Sequence, residues 1–190
     1  YYIKEVMKMN PLLVSSGNLD WTEAGRKNLE NLSESFGCDI LILQPNRKLA
    51  KKILKKAFED IGSPSWYLDY LLYALPYRMA IKMGIKLLVY GEDINYTYGG
   101  IQNEEKSSAM LQSENGVVKP IPDEWFQDGE ISKKELGGIT QPTRKECEEA
   151  GLEPIYLSYY IPWNSHHHFQ VAQKWGFRHL GHEHDREGSI

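Results

Sequence analysis

Residues 39–43 read DILIL and residues 85–90 read IKLLVY. A strand with one wet face alternates polar and apolar side chains. A short, nearly unbroken apolar run instead marks a strand covered on both faces, the habit of parallel sheets. Downstream of DILIL, Asn46 predicts a helix cap, and Leu49, Ile53, Ala57 and Ile61 recur at helical spacing until Gly62. Ser63 and Pro64 then open a helix rich in aromatic residues, expected to kink at Pro76 and to end at Gly84. Upstream, Asp20 with Glu23 predicts a capping box. Trp21, Gly25, Leu29, Leu32 and Phe36 trace one face of the helix that Gly37 closes. Leu12, Leu13 and Val14 read as another buried strand and Pro154 to Tyr160 (PIYLSYY) as a fourth. A last helix, capped by Asn164 or Ser165, runs through Phe169, Ala172 and Trp175 to Gly176.

Strand, helix, strand, helix, strand predicts one α/β domain over 1–190, a parallel sheet with helices on both faces. Right-handed crossovers bring the carboxyl ends of such strands to one edge, where these sheets bind ligands. The residues expected there are Ser15-Ser16-Gly17-Asn18, Gln44-Pro45-Asn46 and Gly91-Glu92-Asp93. An irregular insertion around 94–152 interrupts the alternation and carries a short capped helix from Thr143 to Gly151. Connections of that length are usually functional. At the other end, Tyr2, Val6 and Met9 predict an amphipathic helix with no capping residue in front of it, so further chain is expected upstream of Tyr1.

Hydrophobic residues make up 41% of the chain and charged residues 25%, an ordinary globular composition. With 22 basic against 26 acidic side chains, the net charge of −4 draws the protein neither to nucleic acid nor to an anionic membrane. Two cysteines are too few for a disulfide framework or a four-thiolate zinc site, and suit a reducing cytoplasm.

Several clusters invite a functional reading. Arg47, Lys48, Lys51, Lys52, Lys55 and Lys56 give one helix a basic face, but they lie opposite its apolar stripe, and a solvated face is the stronger reading. His166, His167, His168, His179, His182 and His184 lack the spacing of a zinc site, so no metal ligand is assigned. Cys38 leads into a strand and reads as a small core residue. Cys147 lies among Glu146, Glu148 and Glu149, whose charge would suppress a thiolate. Neither is a nucleophile. Gly91-Glu92-Asp93 followed by Tyr98-Gly99-Gly100 is the most informative segment. Glycines let backbone approach a ligand closely, and a carboxylate at a strand end can take a proton or hold magnesium.

Five segments carry a more specific likeness: NPLLVSSGNLDWTEAGRKNLENL (10–32), GSPSWYLDYLLYALPYRMAIKMGIKLLVYGED (62–93), YTYGG (96–100), LEPIYLSYYIPWN (152–164) and WGFRHLGHEHDREGSI (175–190). Together they resemble the N-acetyl sugar amidotransferases of surface-polysaccharide (O-antigen, lipopolysaccharide) biosynthesis, in the PP-loop or N-type ATP pyrophosphatase superfamily. The resemblance implies a Rossmann-like sheet. It also implies an SGGKDS-like pyrophosphate-binding motif directly before Tyr1, a cysteine-bearing region before that, and a further segment after Ile190.

The implied reaction is ATP-dependent and AMP-forming, with Mg2+ as the companion ion. The acetamido oxygen of an N-acetylated sugar, carried as a sugar nucleotide, attacks the α-phosphate of ATP and expels pyrophosphate. Ammonia then adds to the activated carbon, and AMP leaves an acetamidino sugar. Positioning and charge neutralisation do this work without a protein nucleophile. By resemblance, Val14, Ser15, Ser16 and Gly91 are the cofactor-binding residues and Glu92 is catalytic. Tyr98, Gly99, Gly100, Trp66 and Arg78 fall on the sugar side. With no nucleophilic cysteine and no room for a second fold, a separate glutaminase subunit, like that of imidazole glycerol phosphate synthase, is expected to supply the ammonia. The alternatives are a tRNA-modifying PP-loop enzyme that docks through helix 47–56, and a non-catalytic nucleotide-binding module.

Overall fold

The computed structural model describes residues 1–17, 21–92, 109, 121–127, 129, 131–136 and 140–179. They are mixed α/β, and the chain divides into two compact units, Tyr1–Ile42 with Asn164–Ile190, and Leu43–Trp163.

In the unit built from the two ends of the chain, β1 (Leu13–Ser16) pairs with β2 (Ile40–Leu43, its last residue at the boundary) as a two-stranded sheet. Between them runs α1 (Glu23–Phe36). Its cap is Thr22, whose hydroxyl accepts from the Gly25 N–H at 3.0 Å; Asp20, the expected cap, lies outside the described residues. Gly37 closes the helix at φ 55°, a left-handed conformation that costs glycine least. The expected apolar stripe is only partly covered, since Leu32 stays 44% exposed, and the buried side chain of α1 is Asn28. Asn28 Nδ2 donates to the Arg178 carbonyl and Arg178 N–H donates to Asn28 Oδ1, both at 2.8 Å. Asn31 Nδ2 and the Ser35 hydroxyl both donate to the Trp175 carbonyl. Gly176, at φ 86°, lies so close that a Cβ there would meet Asn31 Nδ2 at 2.9 Å. The last helix, α5 (Ser165–Lys174), is capped by the Asn164 side chain, one of the two residues expected to do so.

The opening helix is shorter than its periodicity predicts. A π-helical turn spans Tyr2–Val6 with no buried residue, and Lys8 at φ 57° ends it. Tyr2, Val6 and Met9 are 37%, 48% and 41% exposed, so the expected stripe covers nothing in this unit. A left-handed non-glycine residue this early prevents a second helical turn from forming.

In the central unit, α2 (Arg47–Ile61) follows its sequence closely. Asn46 caps it through Lys48 and Leu49, Gly62 ends it at φ 68°, and Leu49, Ala50, Ile53 and Ala57 are buried. It packs on α3 (Trp66–Met83), the centre of this unit. Nine residues of α3 are buried, over well more than half of its circumference, while Leu72 on the remaining side is 37% exposed. Pro76 does not interrupt it. Proline has no N–H to offer the Leu72 carbonyl four residues earlier. The Tyr90 hydroxyl donates to that carbonyl instead, at 3.4 Å.

The strand β3 (Leu87–Tyr90) pairs in parallel with β4 (Glu153–Tyr156), in the register Leu87↔Glu153, Leu88↔Pro154, Val89↔Ile155 and Tyr90↔Tyr156. Between them come a 3₁₀ turn at Asp123–Phe126 and α4 (Arg144–Glu149), closed at its start by a complete Thr143/Glu146 capping box. Ala109 is fully buried there: its N–H donates to the Pro154 carbonyl and its carbonyl accepts from the Tyr77 hydroxyl.

Two expectations about the strands need correction. Among the described residues the four strands form two two-stranded sheets, not one sheet with helices on both faces. Accordingly β2 and β3 are only half-covered, with Ile42 47% and Leu87 38% exposed, because strands of four residues with one neighbour each cannot be sealed on two faces. The PIYLSYY segment is strand only to Tyr156; Leu157–Tyr159 turns as a 3₁₀ helix, which takes Tyr159 and Tyr160 to the surface.

Candidate functional site

Parallel pairing sends the chain out of β3 and β4 at the same end of their sheet. Gly91 and Glu92 follow β3, and Leu157 and Ser158 follow β4. The two exits are joined: the Ser158 hydroxyl donates to the Glu92 carbonyl at 3.3 Å. Gly91 is exposed, and a Cβ built on it would meet none of the described residues within 4 Å.

The Glu92 carboxylate turns back over a layer of tyrosines. The Tyr73 hydroxyl, from α3, donates to Glu92 Oε2 at 3.2 Å. The Tyr73 ring lies 5.7 Å from that of Tyr90, and Tyr90 lies 6.2 Å from Tyr77 and 6.0 Å from Tyr156. Tyr73, Tyr77, Tyr90 and Tyr156 are all buried, so the floor beneath Glu92 is rigid and poor in water. Burial pushes the Glu92 carboxyl above its ordinary range. The Tyr73 hydrogen bond opposes that shift, and the negative charge of Asp69 adds to it. Burial likewise raises the Tyr90 phenol far above its usual value, so Tyr90 stays protonated. Among the described groups at this strand end, Glu92 is the carboxylate suited to accept a proton, because burial raises its pKa.

Sequence reasoning located Glu92 and missed its neighbours. Ser65, Asp69, Tyr73 and Tyr77 fall at successive i, i+4 positions on α3, and the Ser65 hydroxyl donates to Asp69 Oδ2 at 2.8 Å. That spacing puts a polar edge on an otherwise apolar helix and was there to be read.

The residues expected on the sugar side are spread apart. Trp66 is 4% exposed, stacked on Tyr70 at 5.1 Å and edge-on to Trp125 at 5.2 Å, within the aromatic core. Arg78 is engaged by protein. Its Nε donates to the Thr140 carbonyl at 2.6 Å, one terminal nitrogen donates to the Thr140 hydroxyl, and the other pairs with Glu146 Oε1 at 2.8 Å. At about 100° per residue, Arg78 lies about 140° around α3 from Tyr73, on another face from Glu92. Tyr98, Gly99 and Gly100, like Asp93, lie outside the described residues. Val14, Ser15 and Ser16 form the end of β1 in the other unit, half-buried, with the Ser15 hydroxyl donating to the Ser16 carbonyl at 3.4 Å.

Both cysteines are buried, and the Cys147 thiol is pushed up, by burial first and by Glu146 second. His166, His167 and His168 are exposed at the start of α5, where His166 Nε2 meets Gln170 Nε2 at 3.0 Å; His182 and His184 lie outside the described residues. Among the described residues no group of three or more His, Cys, Asp or Glu side chains could hold a metal ion. None of the described helices is long and apolar enough to cross a membrane. No protein-family model matches the chain, and no curated protein matches it either.

Proposed function

We propose that the protein is an ATP-dependent, AMP-forming amidotransferase that converts the acetamido group of an N-acetylated sugar nucleotide to an acetamidino group. Its fold on this reading is the Rossmann-like PP-loop type, to which the short strand pairs and their helices would belong. The observation that carries the proposal is the half-buried Glu92 carboxylate at the carboxyl end of a parallel strand, raised in pKa and held by Tyr73. The order and wording of the five quoted segments supply the substrate class.

ATP supplies the activation of the amide oxygen. The residues of this chain do the rest of the work assigned to them. The backbone around Gly91, where no described residue would crowd a Cβ, admits a phosphate-bearing ligand to the strand end. When ammonia adds to the activated carbon its nitrogen becomes cationic, and Glu92 accepts the proton that nitrogen must lose. A carboxylate raised by burial is a better base than a solvated one. Both thiols are buried and Cys147 is disfavoured as thiolate, which supports taking the nitrogen from a separate glutaminase subunit rather than from glutamine hydrolysed in this chain.

The test is release of AMP and pyrophosphate by the full-length protein with ATP, high ammonium and a panel of acetamido sugar nucleotides. Turnover with ammonium is expected, and with glutamine only when the glutaminase is present. Glu92→Gln should lower kcat by about 10²–10⁴-fold, the usual worth of a general base, with the melting temperature maintained. Brisk glutamine-dependent turnover by the single chain would overturn the two-subunit arrangement. No turnover with any acetamido sugar would overturn the assignment.

A further inference from the structure

Tyr73 stands apart from the other buried tyrosines of α3. The Tyr70 hydroxyl accepts from the Gln141 N–H at 2.8 Å, and the Tyr77 hydroxyl donates to the Ala109 carbonyl at 2.7 Å, so both tie neighbouring backbone to the helix. The Tyr73 hydroxyl reaches a carboxylate at a strand end. Its ring is 1% exposed and lies against Tyr90, so the hydroxyl cannot swing away without moving the core. The Glu92 backbone is held separately, through its own carbonyl, by the Ser158 hydroxyl. A glutamate has three side-chain torsions; with the backbone fixed by β3 and Ser158, one hydrogen bond at Oε2 is enough to select a carboxylate position.

We propose that Tyr73 is the positioning residue for the Glu92 carboxylate, its rigid hydroxyl holding Oε2 so that the other carboxylate oxygen is presented at the end of the β3–β4 sheet. This rests on the reading of Glu92 as the proton-accepting group, but the positioning itself can be measured without turnover. Among the described residues, the titratable and charged groups that face Glu92 are Asp69 and Tyr73 from α3 and Tyr90 from β3, with the Ser158 hydroxyl following β4. Of these, Tyr73 donates to the carboxylate and so favours its ionised form, whereas Asp69 repels it.

The experiment compares wild type, Tyr73→Phe and Tyr73→3-fluorotyrosine, the last a stronger donor of nearly the same size. Glu92 is followed by ¹³C NMR of its carboxyl group across a pH titration, with Glu92→Gln used for assignment. Loss of the donor should move the Glu92 midpoint up, and the fluorinated ring should move it down. In the amidotransfer assay Tyr73→Phe should lower kcat about tenfold, a fraction of the roughly 10²–10⁴-fold that the base itself contributes, with KM for the sugar nucleotide within about twofold. The acid limb of the pH profile should move in the direction of the NMR midpoint. An unchanged Glu92 midpoint in both variants overturns the proposal, whatever the activity. Shifted midpoints in a protein that turns over no acetamido sugar would uphold the positioning and sink the functional reading instead.

Discussion

The interior of Leu43–Trp163 is built from rings and aliphatic chains, whereas the buried residues of α1 in the other unit are Gly25 and Asn28. In the central unit Trp66, Tyr67, Tyr70, Leu71, Tyr73, Leu75 and Tyr77 are all nearly inaccessible along a single helix. In the terminal unit, the C-terminal strand of chain is fastened to α1 by Asn28, Asn31 and Ser35 through its backbone at Trp175 and Arg178. The ring of Trp175 adds a contact at 4.6 Å with Phe36. Area burial stabilises without much regard to direction, and its strength grows with what is covered. Hydrogen bonds between buried partners add about 1 kcal/mol each on net, but leaving one partner unmatched costs more than that. The central unit is therefore suited to hold a rigid site, and the terminal unit to hold a fixed chain path at modest stability.

The comparison is most exposed at Leu71, which is fully buried against the neighbours of α3. Leu71→Ala should cost about 2–5 kcal/mol, the range for truncating a leucine in a tight core. Urea unfolding measures the loss, and hydrogen exchange locates it. A cost below about 1 kcal/mol would mean that the core relaxes freely into the gap and is not the rigid floor described beneath Glu92.

How far each region could be read in advance follows the same division. Leu49, Ile53 and Ala57, with Asn46 and Gly62 as caps, announce α2 because apolar periodicity and cap chemistry are local signals. The Thr143/Glu146 capping box is local as well. At the site, Glu92 was legible as an acid at a strand end and the i, i+4 series could have marked Tyr73, but the pairing of Glu92 with Tyr73 and Ser158 was not legible, since these lie 19 and 66 residues away. Asn28 was missed for a similar reason. An asparagine in mid-helix reads as a surface residue until its partner, 150 residues on, is known. The division of the strands into two pairs also escaped the pattern, because apolar runs state how a strand prefers to be covered and not which strand lies beside it.

A sharper cut falls on Asn28. Replacing it with alanine leaves the Arg178 N–H and carbonyl without their partner, and should cost about 1–3 kcal/mol. Asn28→Asp is the informative companion, because it keeps the acceptor for the Arg178 N–H but loses the donor to the carbonyl. Hydrogen exchange should quicken at 175–179 and along α1 in both variants, while amides of α3 keep their protection. Equal loss of protection in α3 would show that the two units unfold as one, and the contrast between them would lose its energetic meaning.

The smallest effect separates two kinds of polar fastening. Asn28 is neutral and buried, so its bonds should hold across the acid range. In the central unit, the corresponding fastening is the ion pair of Arg78 with Glu146, whose glutamate side chain is 42% exposed. The Thr143 backbone N–H, the Arg78 guanidinium and the Thr143 hydroxyl hold the Glu146 carboxyl down to about 2 from an ordinary 4.5. A carboxyl lowered on folding stabilises the protein above its unfolded pKa, and that contribution is lost as pH falls through the folded value. The loss belongs between about 4.5 and about 2. Because the pair is solvent-exposed, its worth is less than about 1 kcal/mol, well short of what the shift would imply for a buried group. Glu146→Gln should therefore lower stability slightly at neutral pH, and the gap from wild type should close below about pH 2. Urea midpoints at a series of pH values between 7 and 2 measure it. The absence of a gap at every pH would assign the role of Glu146 to the uncharged half of its capping box, which glutamine can still form with Thr143.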